Sequence, residues 1–118
     1  MTITPWGWWS EIESRRAEAE YPQEIKMKRI VVDPGKRLSL QTHAFRTEIW
    51  IIFAGEAEVT IGLNTSVYYP GQALLIYPGD AHRVQNVGTT ALVIYECQYG
   101  TKCSEVDITR FEDDYGRC

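Results

Sequence analysis

The chain contains only two histidines, His43 and His82, and both sit in spacings that gather metal ligands. Gln41 and His43 are two residues apart in a stretch that reads as a strand, so their side chains project from one face and can chelate one ion. Glu48 follows a short connection through Ala44 to Thr47, opens the next strand and can point into the same interior. Pro78-Gly79 makes a turn that delivers His82 at the head of another strand. Two imidazoles, one carboxylate and one amide oxygen form a mixed nitrogen and oxygen set that can hold a divalent ion with positions open for water or a ligand. Such an ion stabilises negative charge as it develops on a bound oxygen.

Bringing these side chains together requires strands from separated parts of the chain. From Lys26 onward, short runs rich in Val, Ile, Tyr, Trp and Thr each end at a Gly, Pro or Asn signal. The pattern predicts strands over Lys26–Val32, Leu38–Thr42, Glu48–Phe53, Ala57–Ile61, Ser66–Tyr69, Ala73–Tyr77, Arg83–Asn86 and Ala91–Gln98. Eight strands spaced near ten residues apart predict an all-β fold, a single-domain antiparallel barrel or jelly roll. Residues 26–98 form its core, residues 1–25 an N-terminal arm and residues 99–118 a polar C-terminal surface segment. Ser10 and Glu13 could make a capping box, but a helix over Ser10–Glu20 would have only Ile12 to bury. An irregular arm with one short strand is therefore expected. Trp6, Trp8 and Trp9 read as a barrel cap or a dimer contact in preference to a sugar-stacking platform. Phe111 and Tyr115 read as a tail packed on the outside.

At 118 residues the chain has the size of one domain, and 44% apolar residues can build one core. Twelve Lys and Arg against sixteen Asp and Glu give a net charge of -4, the wrong sign for general binding to nucleic acid or anionic membrane. The longest uncharged apolar run, Ile49 to Gly55, is far shorter than a membrane span. The start, MTITPWGWWSE, has neither a basic segment nor a long apolar one, so no signal peptide and a cytoplasmic location are expected. Cys97, Cys103 and Cys118 lack a CxxC spacing and are expected to be reduced, with no role in the site.

The spacing Gly35, Gln41, His43, Glu48, Gly55 resembles the first cupin motif, with Gln41 in place of the usual first His. Gly71, Pro78-Gly79, His82 and Asn86 resemble the second, with Tyr77 where a Pro is usual. The segments RIVVDPGKRLSLQTH, RTEIW, AHRVQN and DITRFEDDYGR are similar to the cupin-type mannose-6-phosphate isomerase domain, often fused behind a mannose-1-phosphate guanylyltransferase. The likeness runs from Pro5-Trp6-Gly7 to Arg117. It implies a cupin barrel, a metal at Gln41, His43, Glu48 and His82, and interconversion of mannose 6-phosphate and fructose 6-phosphate. It also implies a homodimer. Zinc is the expected ion, with manganese, nickel and iron as alternatives. No Gly-rich nucleotide loop occurs in these residues, so the isomerase half alone is expected, without GDP-mannose synthesis.

Arg46 stands where the family also has Arg and is the first choice for contact with the phosphosugar, ahead of Lys36, Arg37 and Arg83. Glu96 is the candidate general base. The family's extra histidines correspond here to Ala44, Phe45 and Ile49, which leaves metal binding better supported than turnover. A non-catalytic sugar- or metabolite-binding cupin and a metal-dependent oxygenase are the alternative functions.

Overall fold

The computed structural model describes residues 1–18 and 23–117. Eleven strands run in chain order: β1 Thr2–Thr4, β2 Gly7–Ala17, β3 Gln23–Val32, β4 Leu40–Thr42, β5 Arg46–Ala54, β6 Ala57–Ile61, β7 Asn64–Tyr68, β8 Ala73–Ile76, β9 His82–Asn86, β10 Leu92–Gly100 and β11 Thr109–Glu112. They form two antiparallel sheets, one ordered β1-β2-β3-β10-β5-β8 and the other β11-β4-β9-β6-β7. The expected all-β single domain is therefore the fold observed. No helix among the described residues is long and apolar enough to cross a membrane.

Strict alternation makes the sheets two-sided. In β5, Arg46, Glu48, Trp50 and Ile52 are buried, whereas Ile49, Ile51 and Phe53 are exposed. Inner residues from both sheets meet in one core: Val32, Ile52, Ile76 and Ile94 from the larger sheet, Ala57, Val59 and Val84 from the smaller. The outer face of the larger sheet stays apolar, with Ile49, Ile51, Phe53, Leu75, Tyr77 and Tyr99 exposed.

The eight expected strands correspond to β3 through β10, with shifted ends. The β4 ladder is shorter than expected because the run before it meets β9 by an isolated bridge at Arg37 and by Leu38 N–H bonding to Val84 O at 3.0 Å. The N-terminal arm differs more. Gly7–Ala17 is an eleven-residue strand paired with β3, neither irregular nor helical where described; Ala19 and Glu20 lie outside the described residues. A register shift between Glu11 and Glu13 breaks its alternation, and pairing with β3 overrides the helix preference of its Glu, Arg and Ala residues. The three tryptophans divide: Trp6 is buried in the core, Trp9 packs against it beneath the Lys28 ammonium, and Trp8 lies beside Arg29.

The C-terminal segment is likewise more than a surface tail. β11 pairs with β4, Tyr115 packs against the core, and the Asp107 carboxylate accepts hydrogen bonds from Ala44 N–H and Phe45 N–H, both at 3.0 Å. Cys97 and Cys103 are free; Cys118 lies outside the described residues.

Candidate metal centre and cleft

One cleft opens between the two sheets, and the residues singled out for metal chemistry line it. His43 leaves the end of β4, and its carbonyl accepts the Gly79 N–H at 2.8 Å, which ties the two histidine-bearing loops together. Gly79 has φ +86, a left-handed conformation that glycine adopts without strain. The same turn is closed by the Asp80 carboxylate, which accepts the Tyr77 N–H at 2.9 Å. His82 then begins β9, in register with Gln41 on one side and Ile61 on the other. Glu48 comes from the opposite sheet, in register with Gln98 and Ile76.

His43, Glu48 and His82 are all buried, and one ligand atom from each lies within 4.8 Å of the others. The ring centroids of His43 and His82 are 4.9 Å apart. His43 Nδ1 is 3.3 Å from Glu48 Oε2, and His82 Nε2 is 3.9 Å from Glu48 Oε1. These are not ion pairs. Burial holds the His43 imidazole neutral, its pKa pushed down to about 2, with Arg46 and His82 adding repulsion. Burial lowers the His82 pKa as well, against an opposing contact with Asp80 O. That contact, 2.9 Å from His82 Nδ1, assigns the proton to Nδ1 and turns the Nε2 lone pair toward the cleft.

His43 Nδ1 and His82 Nε2 are both buried without a hydrogen-bond partner. Such atoms are costly in a folded interior, and two of them flanking one carboxylate match what a divalent cation requires: neutral imidazoles and an anionic oxygen. The residues present therefore fit a metal ion. Gln41 lines the same cleft, in register with His82.

Arg46 reaches the same cleft with two of its three nitrogens engaged. Its Nε donates to Glu48 Oε2 at 2.9 Å and its Nη1 to Ser104 O at 2.8 Å. Trp50 Nε1 donates to the other Glu48 oxygen at 3.0 Å, so the carboxylate is clamped from two sides. Glu96 is buried and accepts from Gln98 Nε2 at 2.5 Å. Burial raises the Glu96 pKa well above the ordinary carboxylate range, and repulsion from Glu48 adds to the rise.

The three alternative cations do not reach the cleft. Arg37 pairs with Asp114, Arg83 pairs with Glu112 and donates to Leu38 O, and Lys36 is exposed. Lys28, Gln98, Glu105, Arg110 and Arg117 line it instead, and sequence reasoning missed them as site residues. A signal existed for two of them: Lys28 shares strand parity with buried Ile30 and Val32, and Gln98 with buried Leu92 and Ile94. Ala44, Phe45 and Ile49, where the extra histidines were expected, do not line the cleft.

Two antiparallel sheets enclosing a buried cluster of two histidines and a carboxylate are the architecture of a cupin. Residues 2–113 match the family described as mannose-6-phosphate isomerase C-terminal, and the chain belongs to it. It is similar to the xanthan biosynthesis protein XanB of Xanthomonas campestris, 42% identical over 113 residues, which cover 96% of this chain and 23% of XanB. It is also similar to the alginate biosynthesis protein AlgA of Pseudomonas putida, 39% identical over 96% of this chain and 22% of AlgA. The chain thus spans under a quarter of the length of these relatives. Among solved structures, a recombinant oxalate oxidase in complex with glycolate has a TM-score of 0.66 at 24% identity, over 73% of this chain and 45% of that one. At that identity the likeness establishes the fold alone.

Proposed function

We propose that this domain is a metal-dependent aldose–ketose isomerase that interconverts mannose 6-phosphate and fructose 6-phosphate. The observation that carries the reading is the pair of unpartnered ring nitrogens, His43 Nδ1 and His82 Nε2, buried beside Glu48 in a cleft lined with polar groups. Membership of the mannose-6-phosphate isomerase C-terminal family supports the choice of substrate.

His43, His82, Glu48 and Gln41 hold the ion, with zinc the first choice among zinc, manganese, nickel and iron. When bound, it supplies Lewis-acid stabilisation of the negative charge that develops on the enediol oxygens. Arg46 and Trp50 orient Glu48 so that a free lone pair of its carboxylate faces the histidines. Arg46 therefore serves as a positioning residue through the bond from its Nε–H to Glu48. Glu96 acts as the base. It takes the proton from C2 of the open-chain aldose, the electron pair becomes the C1–C2 double bond of the enediol, and the carboxyl returns the proton to C1. The hydroxyl proton at O2 passes to O1. A carboxylate made more basic by burial suits that task, and the Gln98 amide holds it in place.

The exposed apolar face around Ile51, Phe53 and Leu75 supports a homodimer, since a patch of this kind on a small domain is ordinarily covered. Two free cysteines accord with a reducing, cytoplasmic setting. The deciding assay is conversion of mannose 6-phosphate to fructose 6-phosphate by protein loaded separately with zinc, manganese, nickel or iron. Metal-stripped protein is the control. Turnover that appears with metal and disappears on stripping is expected. No turnover at verified full occupancy would overturn the isomerase and leave a sugar-binding cupin.

A further inference from the structure

We propose that Arg110 is the anchor for the phosphate group of the ligand, an inference that rests on the phosphosugar reading above but is carried by a separate observation. Four cationic side chains line the cleft: Lys28, Arg46, Arg110 and Arg117. Three already have carboxylate partners. Lys28 is bonded to Glu105, Arg46 to Glu48 and Arg117 to Asp113. Arg110 has no ion pair among the described residues, and its Nε is buried without a hydrogen-bond partner. A guanidinium left in that state costs free energy that an anion would recover.

The carboxylates of the cleft cannot serve as that anion, because each is already engaged. Glu48 accepts from Arg46 and Trp50, Glu96 from Gln98 and Glu105 from Lys28. Glu105, Glu48 and Asp113 take up Lys28, Arg46 and Arg117, which leaves Arg110 as the lining cation with no carboxylate bonded to it among the described residues. An external dianion with several acceptor oxygens meets that need, and the planar fork of an arginine binds phosphate oxygens in pairs.

The position fits a sugar phosphate as well. Arg110 on β11 is in register with Gln41 on β4, which is in register with His82 on β9. Two strand spacings, about 10 Å, therefore separate the Arg110 and His82 backbones along one row of the sheet. That separation suits an open-chain hexose phosphate with its carbonyl end at the histidines and its phosphate at the far end of the row. Arg110 is only half-buried, so the anchor stands at the mouth, whereas His43 and His82 lie at the floor. The ladder also shifts register between Arg110 and Glu112, a bulge of the kind that re-aims a side chain.

The test is calorimetric titration of metal-loaded protein with inorganic phosphate, mannose 6-phosphate and unphosphorylated mannose, using the parent, Arg110→Met and Arg110→Lys. Metal content and melting temperature report on the fold and the ligand set. Arg110→Met is expected to weaken mannose 6-phosphate by about 10- to 100-fold and to abolish inorganic phosphate binding. Mannose affinity and metal content should hold, and Arg110→Lys should recover part of the loss. Equal affinity of parent and Arg110→Met for both phosphates would overturn the anchor while leaving the isomerase reading standing. Phosphate binding lost in Arg110→Met, in a parent that does not convert mannose 6-phosphate, would uphold the anchor and reject the isomerase. A parent that binds neither phosphate overturns the anchor.

Discussion

Arg46→Met tests how the cleft holds its one buried carboxylate ligand. Arg46 and Glu48 are 3% and 2% exposed and share a 2.9 Å hydrogen bond. Removing the guanidinium leaves Glu48 charged, buried and supported only by the Trp50 N–H, a situation that costs about 3 to 5 kcal/mol. Losing the bond to Ser104 O adds roughly 1 kcal/mol. For a domain of this size the sum lowers the melting temperature by on the order of 15 to 25 °C. The penalty should be largest in metal-stripped protein, because a bound cation supplies the counter-charge that the variant lacks. The companion Glu48→Gln with Arg46→Met removes both charges and should be much closer to the parent in stability, while losing most of its metal. Urea and thermal unfolding of stripped and zinc-loaded protein, followed by tryptophan fluorescence, read all of this. Arg46→Met within 1 kcal/mol of the parent when stripped, or a double variant no better than the single, would refute the clamp.

His43→Ala and His82→Ala should each reduce bound metal by more than tenfold, measured by elemental analysis after dialysis, with unchanged far-ultraviolet circular dichroism; full stoichiometry in both would remove the ligand assignment. Asn86 is fully buried, its amide bonds Val32 O and Thr90 O, and its carbonyl takes the Gly88 N–H. Asn86→Ala should therefore cost about 3 kcal/mol in urea unfolding, and a loss below 1 kcal/mol would show that the turn after β9 holds without it. The Arg117 guanidinium holds the Asp113 pKa down to about 2 from an ordinary 3.8. A depressed folded-state pKa gives stability that is complete above the ordinary value and is lost as pH falls through the folded one, so Asp113→Asn should flatten the acid limb between about pH 4 and 2. An acid-unfolding curve superimposable on the parent's would contradict that linkage.

The barrel was legible because the strands from β3 to β10 carry their own punctuation. Pro-Gly pairs and the Gly62-Leu63-Asn64 signal bracket apolar runs, and most of them fall at observed turns. β2 was not legible. Its eleven residues carry four charges, a bulge spoils the alternation, and pairing with β3 decides its conformation. The grouping of His43, Glu48 and His82 was readable because the chain's two histidines each sit beside a strand or turn signal that constrains where the side chain points. The rest of the cleft was harder to see. Glu105, Arg110 and Arg117 reach it through long-range pairing of the C-terminal segment with β3 and β4, and no local pattern encodes that return.

The substitutions at Ala44, Phe45 and Ile49 bear on catalysis less than their neighbours in sequence suggest. Ile49 alternates with Glu48 along β5, so a side chain there points out of the sheet, away from the metal ligands. Ala44 and Phe45 are exposed, and what ties them to the site is backbone: their N–H groups bind the Asp107 carboxylate, fixing the loop that carries His43. An imidazole at any of the three would add no ligand to the buried cluster in this geometry. On the opposite wall Lys28, Glu96 and Trp50 stand in one row across β3, β10 and β5, and Gln98 braces Glu96 from the next. Under the proposed isomerase reading, a chain without the extra histidines thus keeps Glu96 as its candidate base and the Arg46 and Trp50 contacts that hold Glu48.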